Sequence, residues 1–232
     1  MVVETYSAPN ERNKIYKTGA NPFNFDLTGG TSTGYRIRDK VLSEYVNLPT
    51  GAWPNFVIGN HDVARLTVKY GPQHVGIYNM LLLTLWGTPT CYYGDEIGLE
   101  PPTITWEQTV DPWGLNYGPT RYSEFSRDPQ RTPMQWDSSS QAGFTTGNST
   151  WLPIDPSYNR INVKTEQESA GQSNIKLYKQ LAALRKNKAF QLGSFKPSAR
   201  GRTRLPDLCI ILAGRRIDPM TSHQLVVLMD PT

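Results

Sequence analysis

Asn60, His61 and Asp62 follow directly on the apolar run Phe56-Val57-Ile58 and a break at Gly59, and Arg65 comes three residues later. Polar groups at the end of a buried strand are held rigidly enough for chemistry, whereas a solvated loop would carry them without constraint. A second acid, Glu4, closes another apolar run, Met1-Val2-Val3. Two carboxylates facing one cleft suit glycosidic bond cleavage, in which one delivers a proton and another meets positive charge developing on an oxocarbenium-like carbon. His61 can hydrogen-bond a sugar hydroxyl, and Arg65 can favour the ionised form of a nearby carboxylate. A plainer account has Glu4 capping a helix and Asp62 pairing with Arg65. Spacing alone leans slightly toward that account, because isolated acids are common.

The elements that must position these groups follow from periodicity. Short strands are expected at Met1-Val2-Val3 (buried), at Phe23-Asn24-Phe25-Asp26-Leu27, at Phe56-Val57-Ile58 and at Thr90-Cys91-Tyr92-Tyr93, with residues 8–22 as a polar loop. Apolar spacing predicts helices over 36–48, 73–86 and 172–187, the second apolar nearly all round and therefore buried. Strands alternating with helices imply βα units and a parallel sheet. Each strand would end in a charged or amide side chain: Glu4, Asn24, His61 with Asp62, and Asp95 with Glu96. Such an edge suits the C-terminal rim of a βα barrel, where active sites lie. Residues 99–160 lack periodicity, and a loop that long within a compact domain is usually functional. From about Gly193 only strands are expected, at Leu208–Ala213 and Leu225–Met229.

The composition is that of an ordinary globular chain: 232 residues, 38% hydrophobic, 19% charged, net charge +4. The basic runs Arg185-Lys186-Asn187-Lys188 and Arg200-Gly201-Arg202-Thr203-Arg204 lack interleaved aromatics, so they read as solvated surface, and no nucleic-acid partner is expected. Cys91 and Cys209 are expected to be buried free thiols, too few for a disulfide scaffold or a zinc cluster. Asn148-Ser149-Thr150 is an N-glycosylation sequon, meaningful only in the secretory pathway. No signal peptide stands at the start, and no apolar run reaches the roughly 20 residues of a membrane span. The strand-like start and the stop just after an apolar run suggest a piece of a longer protein.

Several of these stretches carry a family resemblance. Gly59-Asn60-His61-Asp62 with Arg65 resembles the fourth conserved region of the α-amylase superfamily, glycoside hydrolase family 13. Met1-Val2-Val3-Glu4-Thr5-Tyr6-Ser7 looks like its third region in the form seen in animal maltases, and Gly87-Thr88-Pro89-Thr90-Cys91-Tyr92-Tyr93-Gly94-Asp95-Glu96-Ile97-Gly98 is similar to the segment around its eighth barrel strand. Ser126-Arg127-Asp128-Pro129-Gln130-Arg131-Thr132-Pro133-Met134-Gln135-Trp136-Asp137, followed by Ala142-Gly143-Phe144, resembles the α-glucosidase and oligo-1,6-glucosidase branch specifically.

The resemblance implies an α/β fold: the C-terminal half of a (β/α)8 TIM barrel, strands five to eight, over residues 1–192, then the start of an all-β C-terminal domain, a truncated β-sandwich, over 193–232. It implies Glu4 as general acid/base and Asp62 as transition-state stabiliser. His61 and Arg127 would bind the non-reducing glucose, Arg131 would support the loop that places Arg127, and Arg65 would support the site. Phe23, Phe25 or Tyr93 could stack on sugar or simply pack in the core. The substrate class implied is α-glucoside oligosaccharides, in a full-length protein that is secreted or membrane-associated on the extracellular side. No metal or other cofactor is expected in this chain, since the family's calcium loop would lie upstream. The family's nucleophilic aspartate, in a Gly-Phe/Leu-Arg-x-Asp motif, is absent from these residues. The chain by itself is therefore expected neither to turn over substrate nor to fold stably, with two open parallel edges. The same branch resembles the heavy subunits of heteromeric amino-acid transporters, non-enzymatic glycoproteins whose partner would be a transporter light subunit. Intact Glu4, His61, Asp62 and Arg127 favour the enzyme.

Overall fold

A computed structural model describes residues 1–30, 34–188, 190, 194–199, 208–213 and 224–228. In chain order these form β1 (Val2–Val3), α1 (Pro9–Tyr16), β2 (Asn21–Asn24), α2 (Gly34–Asn47), β3 (Asn55–Val57), α3 (Leu66–Tyr70), α4 (Val75–Thr84) and β4 (Thr88–Thr90). There follow α5 (Pro112–Asn116), α6 (Tyr122–Phe125), α7 (Val163–Glu168), α8 (Asn174–Leu184), β5 (Ser194–Ala199), β6 (Leu208–Ala213) and β7 (Gln224–Leu228). The chain divides into two compact units. The described residues of Met1–Ile58, Met80–Thr90 and Gln180–Thr232 form one, and Gly59–Asn79 with Cys91–Lys179 the other.

The first unit is built on a parallel sheet in the order β1-β2-β3-β4. Val2 lies opposite Asn21, Phe23 opposite Asn55, and Asn55, Phe56 and Val57 opposite Thr88, Pro89 and Thr90. The order follows the chain, as expected where each strand returns through a helix to lie beside its predecessor. Ile37 and Val41 of α2, Phe56 and Val57 of β3, and Leu81, Leu82 and Leu83 of α4 are all buried. Tyr45 meets the Phe56 ring edge-on at 5.7 Å and donates from its hydroxyl to the Trp86 carbonyl at 2.7 Å. A separate antiparallel sheet has the order β5-β6-β7, with Phe195 opposite Leu212 and Ile210 opposite Val227.

Several sequence expectations need correction. Residues 8–22 are not all loop, because α1 occupies Pro9–Tyr16. Its inward residue is an ion-pairing arginine, which hides the helix from a search for apolar periodicity. Arg12 is 1% exposed and donates to Glu44 Oε2 from Nε (3.0 Å) and Nη2 (2.7 Å), to Asp26 from both terminal nitrogens, and to the Ser7 carbonyl. β1 is not buried, since it lies at the sheet edge and Val2 is 56% exposed. β2 begins two residues early, at Asn21, and stops at Asn24, whose side-chain oxygen accepts the Asp26 N–H at 2.8 Å and turns the chain. β3 is shifted one residue back, to Asn55–Val57, and the Asn55 side-chain oxygen accepts the Thr90 hydroxyl at 2.6 Å.

β4 is Thr88–Thr90, and Cys91-Tyr92-Tyr93 leads instead into Gly94, which has φ +89°. Asp95 and Glu96 therefore stand in a 3-10 turn beyond the strand. Arg185 is not solvated surface. Its guanidinium donates to the Leu83 and Leu85 carbonyls at 2.8 Å and also to that of Gly87, satisfying the end of α4. The Cys209 side chain and the Arg200–Arg204 run lie outside the described residues.

Candidate functional site

The chain enters the second unit at Gly59, and the turn that follows is shaped by Asn60, whose side-chain oxygen accepts the Asp62 N–H at 2.8 Å. That local bond directs the Asp62 side chain toward two arginines from the long loop. Arg131 Nη2 donates to Asp62 Oδ1 at 2.7 Å and Arg127 Nη1 donates to the same oxygen at 3.2 Å. Arg131 Nε also donates to the His61 carbonyl at 3.0 Å, so one guanidinium holds both residues of the turn. The other Asp62 oxygen, Oδ2, is 3.5 Å from His61 Nε2. One carboxylate oxygen is thus fixed by two cations, and the other shares its side with a half-exposed imidazole. An acceptor beside an imidazole, both partly open to solvent, can grip adjacent hydroxyls.

Arg127 is itself held. Its Nε and Nη2 donate to Asp111 Oδ2 and Oδ1 at 2.9 and 2.7 Å, a bidentate fork, and its backbone N–H donates to Asp111 Oδ2 at 2.7 Å. The guanidinium holds the Asp111 carboxyl well below the usual carboxylate range, while the Arg127 pKa rises in return. Asp128, 1% exposed, accepts the N–H groups of Val110 and Asp111 at 2.9 and 3.1 Å and the Ser126 hydroxyl at 3.1 Å. Neither acid was picked out from the sequence. Asp111 did leave a signal, because an Asp immediately before a Pro is a helix start, and it caps α5 by accepting the Trp113 N–H at 3.2 Å.

Arg65 goes elsewhere. It is 2% exposed, lies over the rings of Tyr92 and Tyr93 at 4.9 and 4.6 Å and donates to the Tyr93 carbonyl. The plain pairing of Asp62 with Arg65 is therefore not formed. Arg131, expected to support the loop that places Arg127, also reaches Asp62 itself. Buried Asp95 lies near Arg65 and Lys69, and burial pushes its pKa up to about 7 against their opposing charge. Burial pushes Lys69 down to about 8. Asp95 also backs the turn, for a Cβ at Gly59 would come within 2.5 Å of Asp95 Oδ2. Gly59→Ala is expected to destabilise the complete protein by about 1–3 kcal/mol, read as a lower midpoint in a chemical denaturation series.

In the first unit Glu4 follows β1 and is exposed. It does not cap the helix that follows, because α1 starts from Ala8. Phe25 is buried and stacks on Tyr6 at 4.7 Å, with Phe23 tilted against it at 5.6 Å. Tyr93 packs on the cluster of Ile97, Leu99, Met134 and Ile175 and donates its hydroxyl to the Thr132 carbonyl at 2.5 Å. Packing accounts for Phe25 and Tyr93. Asn148 is exposed, and its carbonyl accepts from Gln141 Nε2 at 3.0 Å. Cys91 is free and half-buried rather than fully buried, with its thiol pushed up to about 12 chiefly by desolvation. Among the described residues no group of three or more His, Cys, Asp or Glu is disposed to hold a metal ion, and no helix is long and apolar enough to cross a membrane.

Residues 16–193 match the family model described as "Alpha amylase, catalytic domain". The salivary alpha-glucosidase of Anopheles gambiae is 37% identical over 203 residues, 84% of this chain and 34% of that protein. The amino acid transporter heavy chain of Rattus norvegicus is 41% identical over 164 residues, 70% of this chain and 22% of that protein. A solved alpha-glucosyl transfer enzyme superposes with a TM-score of 0.79 at 26% identity, over 92% of this chain and 40% of that one. The chain thus spans about a third or less of the length of these curated relatives. The chain belongs to the alpha-amylase catalytic-domain family.

Proposed function

We propose that the complete protein is an α-glucosidase that hydrolyses α-glucosidic bonds of maltose and related oligosaccharides with retention of configuration. The observation that carries this reading is the Asp62 carboxylate, fixed through one oxygen by Arg127 and Arg131 while the other adjoins His61. Asp62 would stabilise the oxocarbenium-like state, His61 and Arg127 would bind the glucose, and Arg131 and Arg65 would support them. Glu4 would protonate the departing glycosidic oxygen and then activate water. The four strands β1–β4 would be the last four of a (β/α)8 barrel extending to about residue 192, with β5–β7 opening an all-β domain. The nucleophile would come from residues outside these 232, so the present residues alone would not turn over. An extracellular location agrees with the salivary relative, and Asn148 is then a glycosylation candidate.

The 41% identity with a transporter heavy chain supports a second, non-enzymatic reading. Glu4, His61, Asp62 and Arg127 are all present, which favours the hydrolase. The test is maltose hydrolysis by the complete protein and by its Asp62→Asn variant. Glucose release by the first, reduced at least about a hundredfold in the second, supports the enzyme. No release by the unsubstituted protein supports the transporter subunit.

A further inference from the structure

The Asp111 side chain is fully buried, and it spends both oxygens on the loop that carries Arg127. Its fork takes Nε and Nη2 of Arg127 and leaves Nη1, the nitrogen that meets Asp62. A guanidinium is planar, so fixing one edge fixes the direction of the other. The same carboxylate caps α5, and the Trp113 ring that this cap places lies 5.0 Å from the Arg127 guanidinium carbon. The two loops are pressed together. A Cβ at Gly114 would meet the Ser126 Cβ at 2.7 Å, and Asp128 ties Val110 and Asp111 to Ser126.

We infer that Asp111 is a positioning residue of the site, aiming Arg127 at Asp62, and that it acts on sugar binding through Arg127. This rests on the α-glucoside reading above. Asp111 need not touch the sugar, so its effect should vanish once Arg127 is gone, whereas a merely structural residue would go on costing affinity.

The experiment is a double-mutant cycle on the complete protein, with D-glucose affinity read by titration calorimetry and maltose KM and kcat alongside. Asp111→Asn and Arg127→Met are each expected to weaken glucose by about tenfold or more, the scale of a lost charge-assisted bond. The double variant should bind as Arg127→Met does. Additive losses, or an Asp111→Asn protein with unchanged affinity, would overturn the inference. Should Asp111→Asn fail to fold, Arg127→Lys decides. A lysine keeps the charge and loses the fork, so it should bind glucose as poorly as Arg127→Met, and unchanged affinity would overturn the inference. If the unsubstituted protein binds no glucose, the α-glucoside reading falls and takes the inference with it. Normal binding with an additive cycle overturns the inference alone.

Discussion

Replacing Glu4 by glutamine is expected to slow maltose hydrolysis by about 10²–10⁴-fold, the usual contribution of a positioned general acid. A sugar alkoxide is a poor leaving group, so cleavage depends on a proton arriving as the bond breaks. Glutamine matches the shape of glutamate and has no acidic proton to give. The loss should shrink with 4-nitrophenyl α-glucoside, whose phenolate departs unprotonated in the first step. Glu4 follows β1, and glutamine keeps its volume and shape, so the melting temperature should stay unchanged. Equal losses of kcat/KM, which reports the first step alone, on both substrates, or a fall in stability that matches the fall in rate, would remove Glu4 from the acid role.

The second large effect concerns folding. Arg12→Met is expected to cost about 3–5 kcal/mol, because removing one partner of a buried ion pair strands the other. Glu44 is 2% exposed, and without Arg12 it keeps, among the described residues, the Tyr16 hydroxyl as its side-chain donor, at 2.9 Å. Asp26 is more open, at 28%, and loses less. The burden should therefore lie on Glu44, and Arg12→Met with Glu44→Gln should recover part of the loss. Denaturant midpoints of the complete protein and the two variants check this. A double variant no more stable than Arg12→Met would place the cost in lost packing.

Arg12 also shows where the sequence could not be read. A helix is recognised by apolar residues on one face, and α1 turns an arginine inward, matched by acids 14 and 32 residues away. Nothing local announces that match. By contrast α2, α4 and α8 bury aliphatic faces, and periodicity placed all three within a few residues. β4 came out displaced because Tyr92 and Tyr93 look like strand residues, yet their hydroxyls serve the carbonyls of Gln130 and Thr132.

The site was legible in its parts and not in its pairing. Asn60, His61 and Asp62 stood out at the end of an apolar run, and Arg127 came through the resemblance. That Asp62 would choose Arg127 and Arg131, 65 and 69 residues away, over the nearby Arg65 is a tertiary fact. Arg65 is drawn instead to two tyrosine faces and a carbonyl. Asp111 was obscured by the irregular loop around it, although the Asp-Pro step marked a helix start.

The most direct measurement of the central claim is the anomeric form of the glucose first released from 4-nitrophenyl α-glucoside by the complete protein, followed by proton NMR before mutarotation. A retaining α-glucosidase that uses Glu4 and Asp62 must release the α-anomer. Release of the β-anomer, or of no glucose, would contradict the account.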